Sequence, residues 1–256
     1  MDDLISVVVP FYFGNDFLED LLVGIECNSD AIGEVIFVVD NGSDNPIIRD
    51  DFAVDFRIIA SPFLHTNGAG LLRPFGYSLA RFRYVMFLDP DDFYICSSLR
   101  DYVSIARSRN LAFAFAGALN VDASGGFVGK YVPANVQYSL SHFLKKSMAV
   151  YSVSVLLDKY QVPLLVPTTL KKRNDYFAWY YVIKFCSDNS LNWGCVDTFV
   201  VKHRFHTGSL TSNIFSSFCW QFVFFRSVGL SLLKSFCYMF PYTINTVFRR
   251  FRSGGL

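Results

Sequence analysis

Beyond Asp197 the chain contains no aspartate or glutamate. That stretch carries seven positive residues: Lys202, Arg204, Arg226, Lys234, Arg249, Arg250 and Arg252. The remainder holds 16 basic against 22 acidic residues, a net of −6. An acidic body with a basic tail argues against nucleic acid as the body's partner and favours an anionic surface for the tail. No C-x-x-C pair occurs, so the six cysteines (27, 96, 186, 195, 219, 237) offer no zinc-ligand pattern and read as reduced, mostly buried thiols of a cytosolic protein. No internal repeat is visible, which excludes a solenoid. Met1-Asp2-Asp3 supplies no cationic leader. The tail also lacks a spanning segment. From Ile214 onward the longest charge-free runs are Ile214–Phe225 and Ser235–Phe248, 12 and 14 residues, the second interrupted by Pro241. A helix needs about 20 apolar residues to cross a bilayer, so the tail is expected to lie on a membrane or to pack on the body as a helical hairpin. What is abundant is phenylalanine, 28 of 256 residues, within a 52% apolar composition that excludes a disordered chain.

Leu4 to Phe11 is a continuous β-branched run, as expected of a strand buried on both faces in a parallel sheet. Val35–Val39, Phe56–Ala60 and Tyr84–Leu88 repeat that pattern. Between them, Phe17, Leu18, Leu21, Leu22 and Ile25 have helical spacing behind a candidate cap at Asn15. A second helix is expected over Gly70–Phe82, with Pro74 in its first turn. This alternation predicts a doubly wound, mostly parallel α/β sheet with helices on both faces. Farther on, helices are expected at Ser97–Arg107, Ser152–Tyr160 and Asp175–Phe185, and strands at Leu111–Leu119 and Val196–Phe205. The boundaries suggest a body over 1–212, divided near 92, and a helical, aromatic and basic tail over 213–256.

Three turns end the first apolar strands: Pro10-Phe11-Tyr12, Asp40-Asn41-Gly42-Ser43 and Asp89-Pro90-Asp91-Asp92. In an open α/β sheet that edge receives ligands. Asp89 and Asp91, two residues apart just past a strand, can share one hard cation such as Mg²⁺ or Mn²⁺ that leaves positions open for phosphate oxygens. Taken alone, Asp91 and Asp92 fit caps of the next helix better than a metal site, and Asp175 fits an ordinary helix start better than a base. His65 and His142 are isolated. His203-x-x-His206 in a strand would point its rings to opposite faces, against a zinc pair.

The segments Ser6–Tyr12, Val38–Ser43 and Phe87–Asp92 resemble the family 2 glycosyltransferases. Two later segments extend the likeness in the family's order. Asn174-Asp175-Tyr-Phe-Ala-Trp179 is similar to its "ED…W" stretch, and His203-Arg-Phe-His-Thr-Gly-Ser-Leu-Thr211 to its "YR-x-H-x-GS" stretch. The resemblance implies a GT-A fold, a nucleotide-sugar donor, a divalent metal and inversion at the anomeric carbon. It implies that Pro10, Phe11 and Tyr12 line the base pocket, that Asp40 accepts a hydrogen bond from the base, and that Arg73 helps enclose the nucleotide. Asp89 would contact ribose or metal waters, Asp91 would bind Mn²⁺ or Mg²⁺, and Asp175 would be the general base. Arg204, His206 and Ser209 would lie near the diphosphate or a lid over it. Family habit adds a glycan or polyprenyl-linked glycan acceptor, as in surface-polysaccharide or O-antigen assembly, at the inner face of the cell membrane.

Asn174 stands where glutamate is usual, Leu72 and Pro74 flank Arg73 where alanine and asparagine are usual, His203 replaces tyrosine, and Asn41 replaces a frequent second aspartate. None removes the metal or base carboxylate. The rival reading is a non-catalytic nucleotide-sugar-binding scaffold, which would be expected to have lost Asp91 or Asp175. A nucleotidylyltransferase would need a glycine-rich loop after the first strand, and Phe11-Tyr-Phe-Gly14 is not one.

Overall fold

The first strand, β1 (Ile5–Phe11), is buried along its whole length, as a β-branched run must be when the sheet is covered on both sides. The computed structural model describes residues 3–12, 15–63, 68–132, 138–145, 150–205 and 214–252. The further strands are β2 (Ile32–Val39), β3 (Phe56–Ala60), β4 (Tyr84–Phe87), β5 (Phe93–Tyr94), β6 (Leu111–Val121), β7 (Phe127–Tyr131), β8 (Leu156–Asp158) and β9 (Asn192–Arg204). They form one sheet in the order β3-β2-β1-β4-β8-β6-β9-β5, with β7 beside β6. β1 to β4 run parallel. β8 runs against both its neighbours, so β6 and β9 point the same way as β4. The C-terminal ends of β1, β2, β4, β6 and β9 therefore share one edge.

The helices are α1 (Leu18–Glu26), α2 (Ala69–Leu79), α3 (Leu99–Ser108), α4 (Leu140–Leu144), α5 (Asn174–Asp188), α6 (Ile214–Ser227) and α7 (Leu232–Arg252). Side chains alternate across β1. Ile5, Val7 and Val9 pack with Leu21 of α1 and Tyr102 of α3, whereas Val8 packs on the opposite face with Leu72 of α2 and Trp179 of α5. Both layers are apolar, and each fully buried Val, Leu or Phe contributes about 1.5–3 kcal/mol. The doubly wound expectation is met, with a mixed second half.

Several local expectations are corrected. Asn15 lies in a 3-10 turn (Asn15–Phe17) and does not cap α1, whose preceding residue is Phe17 with no capping hydrogen bond. Instead Asn15 accepts the amide of Ile47. Pro74 sits in the sixth position of α2, not the first turn. The carbonyl that proline leaves without its helical donor is that of Gly70, and it accepts the amide of Thr168 at 3.1 Å. Gly76 lets α2 lie close on the sheet, since a Cβ there would stand 2.4 Å from Val8 Cγ1. Ser152–Tyr160 is a short 3-10 turn (Ser152–Ser154) followed by β8, not a helix. Cys27 and Cys96 form a disulfide, against the expectation that all six thiols are reduced. Packing of α1 on β5 brings these two residues, 69 apart in sequence, to a Cα separation of 4.8 Å.

The opposite edge of the sheet is closed by charge. Glu34, fully buried, accepts Ser6 Oγ at 2.7 Å, Arg57 at 2.7 Å and Arg81 at 2.9 Å. Asp158, equally buried, takes Arg83 at 2.7 Å and Gln161 at 2.7 Å. Burial opposes both charges, but these donors outweigh it and hold both carboxyls below their usual range.

The tail packs on the body. Phe224 and Phe225 of α6 are buried, with Phe224 against Tyr176 and Tyr180 of α5. Tyr242 of α7 is buried and accepts a hydrogen bond from Arg173 at 2.7 Å. The outer face of α7 leaves Leu233, Phe236, Phe240 and Ile244 exposed. Among the described residues no helix is long and apolar enough to cross a membrane.

Candidate active site

The polar turns after β1, β2 and β4 converge because parallel strands end together. The amide of Asp40 donates to the carbonyl of Phe11 at 2.8 Å, and Ser43 Oγ donates to the carbonyl of Tyr12 at 2.9 Å, so the first two turns are sewn to each other. Asp40 accepts the amide of Asn41 at 2.8 Å, which fixes its carboxylate at the rim. Pro10 is buried in β1 opposite Val38.

Arg73 lies at the centre. It projects from α2 and is 7% exposed. Its guanidinium contacts Asp89 at 2.5 Å, and also approaches Asn174 Oδ1, at 3.4 Å, at the start of α5. Asp175 lines the same small pocket, with Gly70, Arg73, Leu165, Asn174 and Trp179. Burial works against the Arg73 charge, but Asp89 and Asp175 keep it firmly cationic. One side chain thus spans the turn carrying Asp89 and Asp91 and the helix start carrying Asp175, which the sequence separates by 84 positions or more. Arg173, just ahead, adopts left-handed backbone with φ 64°, a strained choice for a side-chain-bearing residue that turns the chain into α5. The first turn of a helix is also where a carboxylate is favoured as the anion.

Tyr12 is half-buried at the same rim. Its phenol is pushed well above its ordinary range by burial and then by Asp89, with Asp91 and Asp92 adding to it, so it remains a neutral hydroxyl beside three carboxylates. Phe11 is placed otherwise than the base-pocket expectation supposed. Its ring is 1% exposed and packs edge-on to Phe37 in the core. Strand alternation sends Phe11 inward.

Sequence reasoning gave Asp92 no role beyond a helix cap. It is buried, and its two oxygens meet His203 Nδ1 at 3.1 and 3.0 Å. Oδ1 also accepts the amide of Arg204 at 2.8 Å. Burial raises the Asp92 carboxyl against the pull of His203. Burial disfavours a charged His203, but Asp92 overrides it and raises the imidazole to about 9. Arg204, expected near the diphosphate, spends its guanidinium within the protein. It donates to the Asp91 carbonyl at 3.0 Å, the Ala123 carbonyl at 2.6 Å and Asp20 at 2.5 Å, and lies over the Phe17 ring. Asp92 and Arg204 together hold the Asp89–Asp92 turn against the end of β9. The signal for Asp92 was visible only as a third acid after Asp89 and Asp91. His206 and Ser209 fall outside the described residues.

No group of three or more His, Cys, Asp or Glu side chains forms a ready cation cage among the described residues. The donors at the turn are the half-buried carboxylates of Asp91 and Asp89, the latter paired with Arg73. One or two hard oxygen ligands suit a cation whose remaining positions are filled by phosphate and water. Asp91 and Asp89 therefore fit a divalent ion that arrives with its substrate.

No family model matches the chain. Among curated proteins it is similar to the UDP-Glc:alpha-D-GlcNAc-diphosphoundecaprenol beta-1,3-glucosyltransferase WfgD of Escherichia coli, 27% identical over 84% of this chain and 83% of the relative. It is also 26% identical to the putative teichuronic acid biosynthesis glycosyltransferase TuaG of Bacillus subtilis, over 71% of this chain and 72% of that one. Its fold is similar to S. aureus TarS crystallised with UDP, with a TM-score of 0.59, 13% identity, and coverage of 94% of this chain and 70% of that one. Relatives by sequence and neighbours by fold agree: this chain is a glycosyltransferase with a fold like that of TarS, and it is similar to glycosyltransferases of surface-polysaccharide type.

Proposed function

We propose that the chain transfers a hexose from a UDP-sugar to a hydroxyl of a diphospholipid-linked glycan, with Mn²⁺ or Mg²⁺ and with inversion. The observation that carries this reading is Arg73, which contacts the Asp89 turn and Asn174 at once and so sets two carboxylate groups around one cleft. The relatives give the substrate classes: WfgD is named for UDP-Glc and a GlcNAc-diphosphoundecaprenol, and TarS has been crystallised with UDP-GlcNAc.

In this reading Asp40 and Tyr12 hold the nucleoside at the ends of β1 and β2. Asp91, with Asp89, would hold the divalent ion, which supplies positive charge to the departing diphosphate. Asp175 takes the proton of the acceptor hydroxyl as that oxygen attacks C1. The new C1–O bond forms as the C1–O bond to the diphosphate breaks, from opposite faces, and a single carboxylate without a second nucleophile gives inversion. Arg73 keeps Asp89 and the start of α5 in register, and its charge lies on the path of the leaving group. Arg204 acts by holding the Asp91 carbonyl.

The same reading places the protein on the inner face of the membrane through α7. Its outer stripe of Leu233, Phe236, Phe240 and Ile244 adjoins Lys234, in a tail free of acids. Long apolar side chains beside basic heads suit an anionic interface. Deleting 214–256 would strip Phe224 and Tyr242 from the core, so the sharper test is the full chain with Phe236→Ser and Phe240→Ser. It should float less with phosphatidylglycerol vesicles while its melting temperature holds; unchanged flotation rejects this membrane contact.

The catalytic reading is tested by incubating the protein with Mn²⁺ and a panel of nucleotide-sugars, with and without a short-chain GlcNAc-diphospholipid. Asp91→Ala should lower transfer by roughly 10²-fold or more. Donor binding without transfer would favour a scaffold. Neither binding nor hydrolysis, with Asp91→Ala indistinguishable from the parent, would remove the proposal.

A further inference from the structure

A row of rings continues the active-site rim onto the second half of the sheet. Tyr131 at the end of β7 packs on Tyr151 with centroids 5.1 Å apart, Tyr151 meets His203 at 5.2 Å, and His203 meets Phe205 at 5.0 Å. The strand register shows why they line up. Asn120 of β6 stands opposite Gly129 of β7 and His203 of β9. Residues two apart share a face, so Tyr131 follows Gly129, and Phe205 follows His203, on that same side. Gly129 leaves a gap in the row, because the nearest atom to a Cβ built there is Asn120 Nδ2 at 3.9 Å. Asn120 Oδ1 is buried and has no hydrogen-bond partner. Phe205 is 41% exposed, and the His203 side chain 29%.

The two middle rings of this ledge are tied through buried neighbours to the metal turn and to the pocket of Arg73 and Asp175. Asp92, next to Asp91, holds His203 by Nδ1, which leaves the other ring nitrogen to face a ligand. Beside it Ser152, the neighbour of Tyr151, accepts a hydrogen bond from Trp179 Nε1 at 3.2 Å, and Trp179 lines the pocket of Arg73 and Asp175.

We infer that the ledge of Tyr131, Tyr151, His203 and Phe205, with Asn120 in its gap, is the subsite for the acceptor's sugar ring. A pyranose presents an apolar C–H face and a rim of hydroxyls. Ring side chains with polar neighbours match both, the rings covering the face while the Asn120 amide and the His203 imidazole hydrogen-bond the rim. Transfer requires an acceptor hydroxyl within about 3–3.5 Å of the donor carbon, and the Asp92–His203 contact sets the ledge beside the turn that carries Asp91. His203 and Phe205 are here specificity residues, and the inference rests on the glycosyltransferase reading for the identity of the second substrate only.

The test is saturation-transfer difference NMR with a water-soluble GlcNAc-diphospho-alkyl probe and the full chain, which needs no turnover. The sugar-ring protons should be saturated by the parent protein. Phe205→Ala should weaken probe binding roughly tenfold, and His203→Gln, which can still reach Asp92, should weaken it less. UDP-glucose binding with Mn²⁺, followed by thermal shift, should stay within about twofold in both variants. Absence of sugar-ring saturation in the parent, or saturation indifferent to both variants, overturns the subsite. Loss of UDP-glucose binding in the parent while the ledge still binds the probe instead overturns the proposed reaction.

Discussion

The two halves of the sheet solve the same packing problem differently. β1 to β4 run parallel, are joined through helices or long loops, and deliver Tyr12, Asp40 and Asp89 from turns at their common end. The second half mixes directions, includes strands of two and three residues, and presents Asp175 from a helix start and His203 from a strand end. The first half is a platform whose backbone order positions the site. The second contributes groups one at a time, and these must be tied back by side chains: Arg73 to Asn174, and Asp92 to His203. Direction of strands thus decides whether backbone or side chain carries the geometry.

The largest effect that would probe this division is Asp175→Asn. Transfer should fall by about 10²–10⁴-fold, the range of a lost general base. UDP-sugar affinity, which the proposed reading assigns to the first half, should hold in calorimetric titration. A parallel loss of donor affinity would show that the halves are not chemically separate.

Next come the two buried carboxylates on the opposite edge. Glu34→Ala leaves Arg57, Arg81 and Ser6 without their acceptor and should cost about 3–5 kcal/mol in urea unfolding. Asp158→Ala, which strands one arginine and Gln161, should fall nearer the lower end of that range. Equal losses would deny the parallel half its greater dependence on a single charge. Both carboxyls titrate below their usual range in the folded protein. Their stabilisation is present above the normal carboxylate range and is lost as pH falls through the lowered values.

The smallest effect concerns the tie between the halves. His203 is raised to about 9 in the folded protein, against about 6.5 for a free imidazole. The stability it contributes is complete below about 6.5 and is lost as pH rises through about 9. The melting temperature should therefore decline across that interval, and His203→Gln should flatten the decline. An unchanged slope would remove the Asp92–His203 pair as a link between the halves.

The same division explains what the sequence disclosed. Long apolar runs announced β1, β2 and β4 because a parallel strand covered on both faces has no polar positions to interrupt it. β8, with three residues, carries too little pattern to be distinguished from the helix expected over Ser152–Tyr160. The Cys27–Cys96 pair depends on α1 meeting β5, a contact that no local spacing encodes. Ordered motifs singled out Arg73 and Asp175, but not their approach in one pocket. The burial of Phe11 could have been read from strand alternation. The use of Arg204 and Asp92 as fastenings was hidden, because a motif names residue types and not the direction of their side chains.

Arg173 and Tyr242 join the start of α5 to the helix whose far side shows Leu233, Phe236 and Phe240. Whatever layer receives that far side, Asp175 stands at a set height above it, as a stylus does on a fixed arm. Under the proposed membrane contact and base role, a lipid-borne sugar whose hydroxyl sits nearer to or farther from the layer than that height would miss the carboxylate, and the arm would then screen acceptors by the length of glycan already built.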